Sequence, residues 1–161
     1  MREFDVNFRK MSNNEFEKFI ELSVSDYAQD LIKSGMCNEE DGFKSSKEQF
    51  DEILPQGKYT ENNFFYMISN IKNEDIGTIW YSKFNQEVAF INNILVYESF
   101  RMQGYGKQTL LLIENEAKEK GLNKILLHVF KFNHIAFALY KDLGYKVVEE
   151  NSGKMHMVKS I

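Results

Sequence analysis

The residues best equipped for chemistry lie in Ile91–Lys107, INNILVYESFRMQGYGK. A β-branched, apolar run ends at Val96, an arginine follows at 101, and glycines at 104 and 106 open a segment of helical periodicity. First-turn N–H groups of a helix have no partner inside it, and the macrodipole adds partial positive charge there. Glycine lets a phosphate approach such a turn closely, because no Cβ intervenes. With Arg101 and Lys107 bracketing the turn, the natural ligand is a pyrophosphate. Two common phosphate motifs fail on spacing. A P-loop needs Ser or Thr after Gly-Lys, whereas Gln108 follows Gly106-Lys107, and Arg101 stands five before Gly106. A dinucleotide fingerprint needs a third glycine where Thr109 stands.

Other reactive residues are sparse. The single cysteine, Cys37, cannot close an internal disulfide, so a reducing, cytoplasmic compartment is expected. His128, His134 and His156 form neither a Cys/His cluster nor an HExxH pair, so no metal is expected. A hydrophobic fraction of 43% against 27% charged residues is that of a folded globular chain. The net charge of −4 argues against a nucleic-acid partner. No stretch approaches the roughly 20 apolar residues of a membrane span. The charge is uneven: residues 1–54 carry 13 Asp/Glu against 7 Lys/Arg, and the remainder 11 against 13. The first part suits a cationic partner, and the second an anionic one.

Positioning these residues requires a mixed α/β scaffold. Apolar residues from Phe16 to Ile32 recur at helical spacing, with Ser12, Asn13 and Asn14 as candidate caps and Gly35 as the stop. Residues 35–45 read as a polar loop, and Ser46–Leu54 as a short second helix. Asn63–Asn70, Ile76–Phe84 and Val88–Val96 read as an antiparallel meander. Gly104–Lys120 is a long helix, and Lys124–Phe130 (KILLHVF) a strand apolar enough to be buried on both faces. Asn133–Leu143 is a further helix, followed by strands at Tyr145–Glu149 and Met155–Val158. The whole chain, 1–161, is expected to form a single domain.

Arg101-Met102-Gln103-Gly104-Tyr105-Gly106 matches the pattern [RQ]xxGx[GA]. It follows a strand ending Ile94-Leu95-Val96 and precedes a helix and an apolar strand. Some 30 residues on, Asn133, Ala136, Tyr140 and Leu143-Gly144-Tyr145 match a second segment, N-x-x-A-x-x-x-Y followed by a glycine and an aromatic. In these features the chain resembles the Gcn5-related N-acetyltransferases, and in its long N-terminal helical pair a bacterial subgroup of them. The resemblance covers residues 88–147 specifically.

The resemblance implies the acyl-CoA N-acyltransferase (GNAT) fold, a mixed, mostly antiparallel sheet with splayed fourth and fifth strands and flanking helices. It implies a CoA-binding core over about 88–147, with an acceptor side mainly in 1–60 and 145–161. Acetyl-CoA is the implied co-substrate, held by Ile94, Leu95 and Val96 on the fourth strand and by Arg101, Met102, Gln103, Gly104, Tyr105, Gly106 and Lys107 in the turn. Asn133, Ala136 and Tyr140 complete that implied set. Tyr140 matches the family tyrosine that protonates the departing thiolate; a phenol near pKa ~10 is a suitable acid for a thiol near ~8.5. For the base, Glu87 at the start of the fourth strand is a candidate, beside a water relay to backbone carbonyls; His128 on the fifth strand could line the cleft, but reads first as a satisfied core histidine. The implied reaction is direct acetyl transfer to a primary amine in a ternary complex, with homodimers common in the family. A non-catalytic CoA sensor and a longer-chain acyltransferase are the alternatives. The acidic first part, with Phe43, Phe50 and Tyr59, points to a cationic acceptor.

Overall fold

The computed structural model describes residues 4–161, so the first three residues of the expected acceptor side lie outside it. The chain runs β1 (Val6–Lys10), α1 (Asn13–Lys33), α2 (Glu39–Ile53), β2 (Asn63–Asn70), β3 (Asp75–Lys83), β4 (Val88–Val96), α3 (Tyr105–Glu119), β5 (Lys124–Phe130), α4 (His134–Asp142), β6 (Lys146–Glu150) and β7 (Lys154–Ser160). The seven strands form one sheet in the order β1-β2-β3-β4-β5-β7-β6. The β4–β5 pairing is parallel, and the other five are antiparallel.

Side-chain alternation gives the sheet two apolar faces. On one, Ile79, Ile91, Ile125 and Leu127 pack against Leu110 and Ile113 of α3. On the other, Phe65, Met67 and Trp80 meet Phe19 of α1, with Phe16 and Phe50 around them. The result is a three-layer sandwich with α1 and α2 over one face and α3 over the other.

Helix α1 starts where Ser12 caps it. The Glu15 N–H donates to Ser12 Oγ at 3.2 Å, and the Ser12 N–H donates to Glu15 Oε1 at 2.9 Å, a reciprocal capping box. Helix α2 begins seven residues before the start expected from periodicity. The Asp41 N–H donates to Asn38 Oδ1 at 2.8 Å, and Glu39, Glu40 and Asp41 complement the helix dipole. This turn carries almost no apolar signal, because its contacts with α1 are made by small residues. A Cβ on Gly42 would lie 2.6 Å from Ile32, and Ser46 Oγ donates to the Val24 carbonyl at 2.7 Å.

Strand β5 also departs from expectation. Ile125, Leu127 and Val129 are buried, but His128 is half-covered and open to solvent on one side, and Phe130 is only partly covered. The expected two-faced burial fails because α1 and α2 stand off from this part of the sheet and leave a cavity.

Candidate active site

Strands β4 and β5 pair from Val88↔Lys124 to Ile91↔Leu127 and then part. The next residue, Asn92, is skipped in the β3–β4 register, which passes from Tyr81↔Ile91 to Trp80↔Asn93. A bulge bends the strand that carries it, so β4 turns away from β5 at the point where pairing ends. Asn92 Nδ2 donates to Ser82 Oγ at 3.0 Å, which pins the bulge to β3. Farther along, Gly77 admits the close approach of β3, since a Cβ there would lie 2.0 Å from the Leu95 carbonyl oxygen. The Tyr97 N–H donates to the Ile76 carbonyl. Backbone groups alternate along an antiparallel strand, so those of Ile94 and Val96 face the opening fork rather than β3. Burying them bare would be costly, and the fork therefore suits a ligand with amide groups of its own.

Beside the fork lies the start of α3. Gly104 is the N-cap, with φ 82° and ψ 7°, a left-handed conformation that favours glycine. It provides no side-chain cap, and the first intrahelical bond runs from the Gln108 N–H to the Gly104 carbonyl. The N–H groups of Tyr105, Gly106 and Lys107 are thus free to hold an anion. A Cβ on Gly106 would meet Leu139 at 3.3 Å, so this glycine also lets α3 and α4 approach. Met102 is almost fully exposed at φ 64°. Arg101 folds back, and its Nε donates to the Val96 carbonyl at 2.9 Å. That hydrogen bond ends β4 and occupies the Val96 oxygen, while leaving its N–H to the fork.

The remaining predicted residues divide. Asn133 caps α4, its Oδ1 accepting from the Ala136 N–H at 3.2 Å, and it borders the fork cavity. Tyr140 is buried below, ring to ring with Tyr145 at 5.8 Å. Its hydroxyl donates to no protein acceptor among the described residues, and burial pushes its pKa up to about 12. Glu87 stands at the closed end of the β4–β5 pair, where its carbonyl accepts from the Asn123 and Lys124 N–H groups. Seven residues of strand, roughly 20 Å, separate it from Ile94. The structure does not bring its side chain to the fork.

Two cavities meet at this place. The first, about 380 Å³, runs from the fork under α1. In its wall Thr78 Oγ1 is buried without a hydrogen-bond partner among the described residues. The second, about 340 Å³, lies between α1, α2 and the outer face of β4 and β5. Ser23, Asp26, Asp30 and Asn93 border both. Burial, and next the charge of Asp26, push the Asp30 carboxyl above its ordinary range. His128 lines the second cavity, the second of its two expected places, rather than the core, and its burial there lowers its pKa to about 4. Of the expected acceptor aromatics, Phe50 lines this cavity, while Phe43 and Tyr59 are solvent-exposed. The sequence reading missed Asp26 and Asp30. Their trace is a polar pair four apart on the helical face beside Tyr27.

A mixed sheet forked at its parallel pair, with an uncapped glycine-led helix start beside the fork, defines the acyl-CoA N-acyltransferase fold. Residues 26–145 match the Acetyltransferase (GNAT) family, and the chain belongs to that family. It is accordingly an acetyl-CoA-dependent acyltransferase. It is similar to the uncharacterised N-acetyltransferase YdgE of Bacillus subtilis, 34% identical over 84% of this chain and 88% of that protein. It is also similar to B. subtilis YycN, 30% identical over 84% of this chain and 89% of that protein. The YycN crystal structure superimposes with a TM-score of 0.86 at 28% identity, covering 91% and 95% of the two chains. The PaiA N-acetyltransferase of Thermoplasma acidophilum, solved in complex with coenzyme A, gives a TM-score of 0.70 at 20% identity over 97% and 99%. No helix among the described residues is long and apolar enough to cross a membrane.

Proposed function

We propose that this protein transfers the acetyl group of acetyl-CoA to a primary amine by direct attack, with both substrates bound at once. The observation that carries this reading is the meeting of two cavities at Asp26, Asp30 and Asn93. One cavity leads from the fork and accommodates the acyl donor; the other gives an acceptor its own route to the same point. The N–H groups of Gln103 through Lys107 hold the pyrophosphate, with Lys107 adding charge beside them. The N–H groups of Ile94 and Val96 bind the pantetheine arm and the thioester oxygen, where negative charge develops on attack.

Asp26 and Asp30 hold the acceptor as an ammonium, and Asp30, directly or through water, takes the proton that frees its lone pair. The amine nitrogen then bonds to the carbonyl carbon and the carbon–sulfur bond breaks. The sulfur takes the Tyr140 proton, while the second nitrogen proton leaves through Asp30 or water and Tyr140 is reprotonated. This gives an amide, a thiol and one proton released to solvent. Thiol release from acetyl-CoA, followed across a panel of amines, tests the reading. Intersecting initial-rate patterns and an unmodified protein mass are expected. Parallel patterns together with an acetylated protein would replace direct attack by a covalent route.

A further inference from the structure

The second cavity carries charge of both signs. Asp26 and Asp30 border its fork end, and neither side chain forms an ion pair or hydrogen bond among the described residues. Lys154 enters from the start of β7. Its Nζ lies 4.7 Å from the ring centre of Tyr27 and 5.0 Å from that of Phe130, and it donates to Tyr27 Oη. Tyr27 Oη in turn donates to Gln49 Oε1 at 3.2 Å, and Gln49 Nε2 to Ser45 Oγ at 3.3 Å. Lys154 is therefore held from behind. An ammonium has three N–H donors, and a single protein acceptor is in reach here; Asp30 feels its charge across the cavity, but no carboxylate comes within ion-pair distance of it among the described residues. Two aromatic faces offset part of its desolvation, but partly buried ammonium groups ordinarily find an anion.

A ligand complementary to this cavity has a cation at the fork and an anion toward β7. A second ammonium on the ligand would meet Lys154 as a like charge, and an apolar tail would leave it unpaired. Given the amine-transfer reading above, on which this rests, we infer that Lys154 is a specificity-determining residue and that the acceptor carries a carboxylate besides the amine it presents for acetylation.

The test uses the full chain, acetyl-CoA and three acceptors of matched length: an ω-amino acid, the n-alkylamine and the α,ω-diamine, each at several chain lengths. At its best length the wild type should favour the ω-amino acid over the diamine by about tenfold or more in kcat/KM, because the carboxylate accepts a charge-assisted hydrogen bond from Lys154 where the second ammonium is repelled. Lys154→Met should bring the three acceptors to within a few-fold, mainly through the KM of the ω-amino acid. Lys154→Glu should reverse the order in favour of the diamine. Thermal melts of both variants separate loss of fold from loss of preference. A wild type that prefers the diamine, or a folded Lys154→Met with an unchanged ratio, would overturn the role of Lys154 while leaving amine transfer standing. Turnover of none of the three by a protein that binds CoA would overturn amine transfer itself, and this inference with it.

Discussion

Ile91 is paired with Leu127, and no residue of β4 beyond Ile91 is paired with β5. The fork therefore opens one residue before the point where the two cavities touch at Asn93. Backbone geometry produces it: the skipped Asn92 redirects β4, and Gly77 lets β3 follow. The consequences can be measured separately for the fork, the anion turn, the junction and the tyrosine.

Gly77→Ala places a Cβ against the Leu95 carbonyl and forces β3 from β4. Displacements of this kind typically cost about 1–3 kcal/mol, occasionally more. Chemical denaturation should show a loss in or above that range, and CoA affinity should fall with it, because the same segment of β4 supplies the fork. Full stability in Gly77→Ala would mean that the strands have slack here.

At Gly104 the conformation, rather than the space, excludes a side chain. A Cβ there meets nothing within 4 Å, but φ is 82°. In Gly104→Val the turn is strained and its N–H groups redirected, so CoA binding measured by calorimetry should weaken at least about tenfold. A folded variant with unchanged affinity would move the pyrophosphate elsewhere.

Asp30→Asn keeps the shape of the junction and removes its basic oxygen. We expect turnover to fall by about a hundredfold, with little change in the KM of acetyl-CoA. The Asp30 carboxyl lies above the ordinary carboxylate range because of burial and then Asp26, with Lys33 and Lys154 opposing. A base acts when deprotonated, so activity should rise with pH through that raised value, and the rise should vanish in the variant. A pH–rate profile shared by both proteins would exclude Asp30 as the base.

Tyr140→Phe retains the ring packed on Tyr145 and removes only the hydroxyl. As general acid to a thiolate, a good leaving group, Tyr140 should contribute about 10–100-fold in kcat, or roughly 1.4–2.7 kcal/mol of barrier. The KM of acetyl-CoA should hardly move. A variant with more than half the wild-type turnover would make Tyr140 a packing residue.

His128 gives a stability test. Burial, then His156 and Lys154, lower its pKa to about 4, against about 6.5 in an unfolded chain. Between these values the unfolded chain binds a proton that the folded one does not, so this site's contribution to stability is complete above pH ~6.5 and lost on acidification toward pH 4. In His128→Gln the fall in urea midpoint from pH 7 to pH 5 should be smaller than in the wild type. An identical fall would mean that His128 titrates as it does in water.

The sequence by itself determined the scaffold and the glycine-led start of α3, because both are written in contiguous residues. Strands 63–70, 88–96 and 124–130 coincide with their expected bounds, since apolar runs and turn residues specify them locally. Gly104 carries its own conformational reason, and the helix start follows from it. Helix α2 was only half legible, because small and polar residues make its contacts with α1. How the junction and the second cavity are assembled could not be read along the chain. Asp30 comes from α1, Asn93 from β4 beside its bulge, His128 from β5 and Lys154 from β7, and Lys154 meets Tyr27 across 127 positions. Which of these side chains face one another depends on strand register and on how far α1 stands from the sheet. Both are fixed by packing summed over the whole molecule, so only the tertiary structure decided what an acceptor would meet.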